Sequence, residues 1–298
     1  MKIVGPLILV SAAMIWGLSF VAQSDGMKYI GGFTFNAVRS LLGALCLIRI
    51  IIFRAKKDPE TIKCFTDKKK RKRTAVGILL VGTMLCIGLN LQQFAFAETA
   101  PGKVGFITAL YMLLVPVFSI FLKKKTPFTV WIGVAIALVG LYLLCIGPNG
   151  SFGSVGRCDF LAFLGAFAFA FHILLVDKFV KDIDCTILSC GQFVVSAILS
   201  AICMVIFEEP EITGILKTSI PLLYTGICSC GIAFTFQLIG QKYTEPTIAS
   251  MLLCLESVFS VVFSFLILHT QMSIWEYIGC AIMFVGIILA QIRPKSAA

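Results

Sequence analysis

Between short polar joints, this chain repeats one feature ten times: an apolar run of about twenty residues. As a helix, such a run measures about 30 Å, the thickness of the hydrocarbon core of a bilayer. Lipid offers the backbone no hydrogen-bond partners, so each run must be helical; an open strand would leave N–H and C=O groups unpaired. The spacing predicts helices over 4–23, 30–53, 74–97, 103–122, 128–146, 159–177, 186–207, 219–241, 247–268 and 273–292. The expected fold is therefore all-α and integral to the membrane, with ten transmembrane helices. A soluble fold is excluded: 59% of the residues are hydrophobic and only 13% charged, against roughly 45–50% apolar in soluble domains.

The net charge of +10 does not indicate a nucleic-acid partner, because the basic residues cluster between the apolar runs. They set topology instead. With the N-terminus in the cytoplasm, nineteen Lys and Arg fall on the inner side and four on the outer. That bias predicts a multi-pass protein of the plasma (cell inner) membrane with both termini cytoplasmic. The longest polar segment contains KKKRKR at 68–73, expected to be a solvated loop. Lys2 precedes an apolar run with no A-x-A site behind it, so this run is expected to be the first span rather than a signal peptide. Most of the twelve cysteines sit inside apolar runs, without metal-ligand spacing; buried thiols there behave as small hydrophobes. No metal or cofactor is expected.

The two halves resemble each other. A shift of 145 places Gln92 on Gln237, Thr99 on Thr244, Pro101 on Pro246 and Leu110 on Leu255. A shift of 146 places Gly133 on Gly279 and Gly140 on Gly286, and seven of the fourteen residues from 131 to 144 are identical to their counterparts. The turn cluster Gly147-Pro148-Asn149-Gly150 begins the linker, giving two five-helix repeats over 1–148 and 155–298. Five is odd, so the second repeat enters the membrane inverted. Inverted repeats are a common construction of secondary transporters, which bind substrate near mid-membrane between the halves.

Ionisable residues inside a span point to function. Arg39 lies about nine residues, roughly 14 Å, from the outer end of its helix, and Glu256 about as far from the inner end of its own. Both come near the midplane and are expected either to pair or to face one water-filled cavity. Tyr111 is the repeat partner of Glu256. Gln92 and Gln237 are repeat-related amides inside their helices, suited to packing or substrate contact. Tyr111 suits a cavity wall or packing, and Trp16 suits stacking on a substrate, closing an outer gate or burial as a packing aromatic. Asn36, Asn90 and Gln192 are read chiefly as packing amides, and His172 as a packing histidine with proton relay as its alternative. Gly133, Gly140, Gly279 and Gly286 should let the fifth and tenth helices pack closely as support.

The order of these features resembles the drug/metabolite transporter superfamily, EamA branch. The Trp16-Gly17 helix, Arg39 in the second helix, the Glu98–Pro101 turn, Leu255-Glu256 in the ninth helix and the paired G-x6-G spacings carry the likeness. Ser257 departs from it, because that family often has proline after the glutamate, and no helix break follows from this position. The resemblance implies movement of small metabolites, often amino acids, by alternating access. The expected protein is a secondary transporter, with export as the expected direction. Its substrate-binding residues are Trp16, Arg39, Gln92, Tyr111, Gln237 and Glu256, and its partners are a small-molecule metabolite, the lipid bilayer and, for coupling, protons or the solute's own gradient. With no Walker motif in the sequence, ATP is not expected to drive it directly. The rival classes are a lipid scramblase or channel and a membrane-embedded enzyme. Two distant histidines, His172 and His269, speak against the enzyme.

Overall fold

The computed structural model describes residues 4–62, 64, 67–99, 101–123, 126–146, 156–268 and 273–291. Lys2, Lys63, Lys124, Lys125, the linker 147–155, His269, Arg293 and Lys295 lie outside the described residues. Ten helices long and apolar enough to cross a membrane occur among the described residues. In chain order these are α1 (Val4–Gly26), α2 (Gly32–Lys57), α3 (Lys68–Ala95), α4 (Pro101–Ala109 continuing as Tyr111–Phe121), α5 (Phe128–Cys145) and α6 (Arg157–Phe179). There follow α7 (Cys185–Phe207), α8 (Ser219–Tyr243), α9 (Pro246–Leu253 continuing as Leu255–Leu268) and α10 (Ile274–Gln291). A 3-10 turn (Pro59–Ile62) and a short helix (Ile212–Lys217) lie between spans.

The basic run is not the predicted loop. Residues 68–73 form the first turns of α3, where the Asp67 carboxylate accepts from the Lys69 and Lys70 backbone N–H groups at 2.8 and 3.2 Å. A carboxylate cap satisfies two of the orphan donors of a helix start, so the helix extends past its apolar part. These contacts hold the Asp67 carboxyl below its usual range.

The repeat is exact enough to transfer helix bounds. A shift of 153 carries α1 onto α6 and the start of α2 onto that of α7. Pro101 falls on Pro246 with a shift of 145, and α5 falls on α10 with 146. The packing is exchanged the same way. Span α5 lies on α10, α2 on α7, and the α1 contacts with α8 and α9 mirror those of α6 with α3 and α4. The fold is thus two inverted five-helix repeats.

Small residues hold the α5–α10 seam together. A Cβ on Gly133 would meet the Gly286 carbonyl at 2.6 Å, and one on Gly279 would meet the Gly140 carbonyl at 2.7 Å. The predicted close support by these two helices is therefore present. Outward faces carry exposed apolar side chains such as Phe121, Val205 and Ile220, a surface suited to lipid. All twelve cysteines are free thiols.

Candidate functional site

Two helices are interrupted where they cross the pseudo-twofold axis. Span α4 breaks at Leu110 and α9 at Cys254. Pro116 inside α4 lacks the N–H that would reach the Met112 carbonyl, which lies past the break and not at it. The corresponding residue of α9 is Val261, so proline does not cause the second break. Across the axis, repeat-related residues touch. The Cys254 thiol reaches the Ala109 carbonyl at 3.4 Å, and the Tyr111 hydroxyl donates to Glu256 Oε1 at 3.4 Å.

Around this crossing lies a central cavity. All six predicted site residues, Trp16, Arg39, Gln92, Tyr111, Gln237 and Glu256, line it. Its wall follows the repeat. Both members of the repeat-related pairs Gln92/Gln237 and Tyr111/Glu256 line it, as do both members of Leu89/Phe234 and Thr108/Leu253 at the same shift. With the shift of α1 onto α6, Trp16/Phe169, Ser19/His172 and Phe20/Ile173 add three more. Spans α5, α7 and α10 contribute no residue to the wall.

Arg39 and Glu256 share the cavity but make no ion pair. Instead Arg39 Nη1 donates to Gln23 Oε1 at 2.8 Å. Gln23 is oriented for this because its Nε2 donates to the Ser19 carbonyl and hydroxyl, both at 3.3 Å. Arg39 Nε and Nη2 have no hydrogen-bond partner although the residue is 1% exposed; its guanidinium lies 5.3 Å from the Phe35 ring centre. Trp16 packs its ring 4.6 Å from that of Phe234. Gln92 donates to the Thr108 hydroxyl at 3.3 Å.

His172 lines the cavity and donates from Nε2 to Gln192 Oε1 at 2.9 Å. Asn36 donates to Asn90 at 2.9 Å, and Asn90 to Ser200 at 2.9 Å; these amides tie helices together and stand outside the cavity wall. The sequence reading missed Ser19 and Gln23. Their signal was present: residues 16, 19, 20 and 23 share one helical face, and two of them are polar inside an apolar run. Among the described residues, no group of three or more His, Cys, Asp or Glu is placed to hold a metal ion.

Comparison with known proteins gives a consistent picture. The family model described as EamA-like transporter family matches residues 3–146 and again 156–291. An uncharacterized transporter of Archaeoglobus fulgidus is 25% identical over 291 residues, 96% of this chain and 85% of that protein. The transporter YoaV of Bacillus subtilis is 25% identical over 94% of both chains. The aromatic amino acid exporter YddG of Escherichia coli is 27% identical over 170 residues, 54% of each chain. A solved crystal structure superposes with a TM-score of 0.78 over 96% of both chains at 21% identity, which supports the fold alone.

Proposed function

Because the chain belongs to the EamA-like transporter family, we propose that it exports zwitterionic amino acids with apolar or aromatic side chains, by alternating access. The observation that carries this reading is the free Nε–Nη2 edge of Arg39 in the same cavity as Glu256. Two parallel N–H groups match a carboxylate bidentately, and a carboxylate suits an ammonium group. Trp16, Phe20, Phe169 and Phe234 in the wall suit the apolar remainder of such a molecule. A multiply anionic substrate would need more than one cation here. The aromatic amino acid exporter among the relatives supports the class, over about half of the chain.

The remaining features of the reading follow from the charge distribution and the repeat. The nineteen-to-four bias of basic residues supports a plasma-membrane protein with both termini cytoplasmic. The halves 1–148 and 155–298 are the duplicated units, and the substrate sits between them. A proton gradient or the substrate's own gradient supplies the energy, and Glu256 is the proton carrier in the first case. The test is uptake by purified protein in liposomes. The panel holds neutral, anionic and cationic amino acids and nucleosides, with and without a pH gradient. Saturable uptake confined to neutral apolar amino acids is expected. Preference for anions or nucleosides, or scrambling of lipid in place of uptake, would refute the reading.

A further inference from the structure

We propose that Gln237 and Gln241 form the inner gate of the cavity and make its opening depend on an N–H donor in the substrate. The inference rests on the amino-acid reading above for the identity of that donor, though not for the gate itself. The two glutamines stand one turn apart on α8 and are 2% and 1% exposed. Gln237 lines the central cavity. Gln241 lines a separate vestibule at the inner ends of the spans, with Ser119, Asp177, Lys242 and Thr244. The two amides, one turn apart, thus each line one of the two spaces.

The direction of the hydrogen bonds is forced. Gln241 Nε2 donates to the backbone carbonyl of Ile173 on α6 at 3.0 Å, and a carbonyl can only accept. Gln241 must therefore turn its oxygen towards Gln237, whose Nε2 donates to it at 3.0 Å. That leaves Gln237 Oε1 buried without a partner. A buried amide oxygen without a donor is an unmet demand, and it belongs to a residue of the cavity wall. An ammonium group bound there supplies the donor. Because an amide turns as one plane, bringing Oε1 to the ammonium draws Nε2 away from Gln241, and the Gln241 amide that bonds to Ile173 on α6 loses the neighbour that orients it.

The repeat identifies this contact as a gate. The shifts that align the halves carry Gln241 onto Phe96 and Ile173 onto Phe20. Phe20 and Phe96 are in contact on the opposite side of the cavity, their ring centres 5.8 Å apart. One position thus closes the outer side with two rings and the inner side with a hydrogen bond. Apolar contact does not discriminate between substrates, but the amide chain does. A carboxylic acid without an amine satisfies Arg39 and leaves the inner closure intact.

A reporter thiol tests this directly. Thr108 lines the cavity, and the stretch 104–123 around it contains no native cysteine. Peptide mass spectrometry of Thr108→Cys therefore reads that site apart from the native thiols. Membrane vesicles are treated with an impermeant maleimide on whichever face labels a separate Lys242→Cys variant. Adding Gln241→Leu is expected to speed labelling of the reporter about fivefold, as for the loss of one neutral hydrogen bond holding the closed state. Gln241→Asn, which keeps the amide but cannot span the gap, gives the same result if the leucine variant does not fold. Labelling unchanged in the folded variants overturns the gate. With Gln241 present, phenylalanine should speed labelling and 3-phenylpropionate should not. Equal effects of the two overturn the requirement for an N–H donor. Faster labelling in Gln241→Leu with no response to phenylalanine keeps the gate and refutes the amino-acid reading instead.

Discussion

Arg39 reaches the cavity with two N–H groups unspent because Gln23 accepts only from Nη1. Gln23 is itself fixed by Ser19 one turn away, so the guanidinium is held at one edge and offered at the other. Lysine keeps the charge but not the fork. Arg39→Lys is therefore expected to raise KM for zwitterions about tenfold, the low end for a hydrogen bond to a charged group, while the corresponding amino amides are little affected. Glu256→Gln should do the reverse. It keeps an acceptor for the Tyr111 hydroxyl but removes the charge an ammonium needs, so amino acids lose affinity and deaminated acids do not. Uptake assays with both variants against amino acids, amides and deaminated acids check this. Transport unchanged in Glu256→Gln, with only a lower melting temperature, would make that carboxylate a packing group. Arg39 and Glu256 were legible in the sequence because a charge is costly in an apolar run. Gln23 was legible only through the helical face it shares with Trp16 and Ser19, and Gln241 was not legible, since an amide near a helix end carries no such penalty.

At the scale of helices, the α5–α10 seam depends on four glycines. A Cβ on Gly140 would lie 2.5 Å from the Met283 nitrogen and 2.7 Å from the Gly279 carbonyl. Backbone cannot yield as a side-chain tip can. Gly140→Val is expected to cost about 1–3 kcal/mol, the usual range for overpacking, read as a lower melting temperature in detergent. Gly105→Ala is the matched control, because its Cβ would meet only Ser257 Oγ at 3.8 Å and the Phe20 ring at 4.0 Å. A control as damaging as the valine variant would show that the loss is not one of close approach. These glycines were readable from their seven-residue spacing, repeated in both halves. The ten spans were equally readable, because lipid leaves an apolar run one backbone solution. The breaks at Leu110 and Cys254 were not. Neither break has a glycine or proline at it, and contacts across the axis, such as Cys254 with the Ala109 carbonyl, meet the chain there. The helical state of 68–73 was missed for a related reason: charge density suggested a solvated loop, whereas one aspartate at the cap decided it.

The whole molecule is tied at both faces by α2 and α7, each holding the other's first turn. On one side, Glu208 at the end of α7 accepts from the Phe33 and Thr34 N–H groups of α2 at 2.9 and 2.8 Å, and from the Thr34 hydroxyl at 2.7 Å. On the opposite side, Asp184 accepts from the Thr186 and Ile187 N–H groups that begin α7, at 2.9 and 3.2 Å. It also receives both terminal nitrogens of Arg54 at the end of α2, at 3.1 and 3.0 Å. Burial pushes the Asp184 carboxyl up, but the Arg54 bond and the backbone donors outweigh it, and the group titrates below its ordinary 3.8. A lowered pKa means stability that is fully present above the unfolded value and lost as pH falls through the folded one. The melting-temperature difference between the native chain and Asp184→Asn should therefore be constant from pH 8 to 5 and shrink only below about pH 4. A difference that disappears near neutrality would contradict this. With both ends fastened, α2 and α7 form a frame, and under the proposed alternating access the helices that meet at Phe20 and Phe96 are the ones to move. Joining Thr34→Cys to Glu208→Cys across the first of these ties should leave transport intact, since those ends do not separate. Joining Phe20→Cys to Phe96→Cys should stop it, with activity returning on reduction, because those positions must part for the cavity to open outward. If the first cross-link abolished counterflow in liposomes and the second did not, the frame and the moving helices would have to exchange roles.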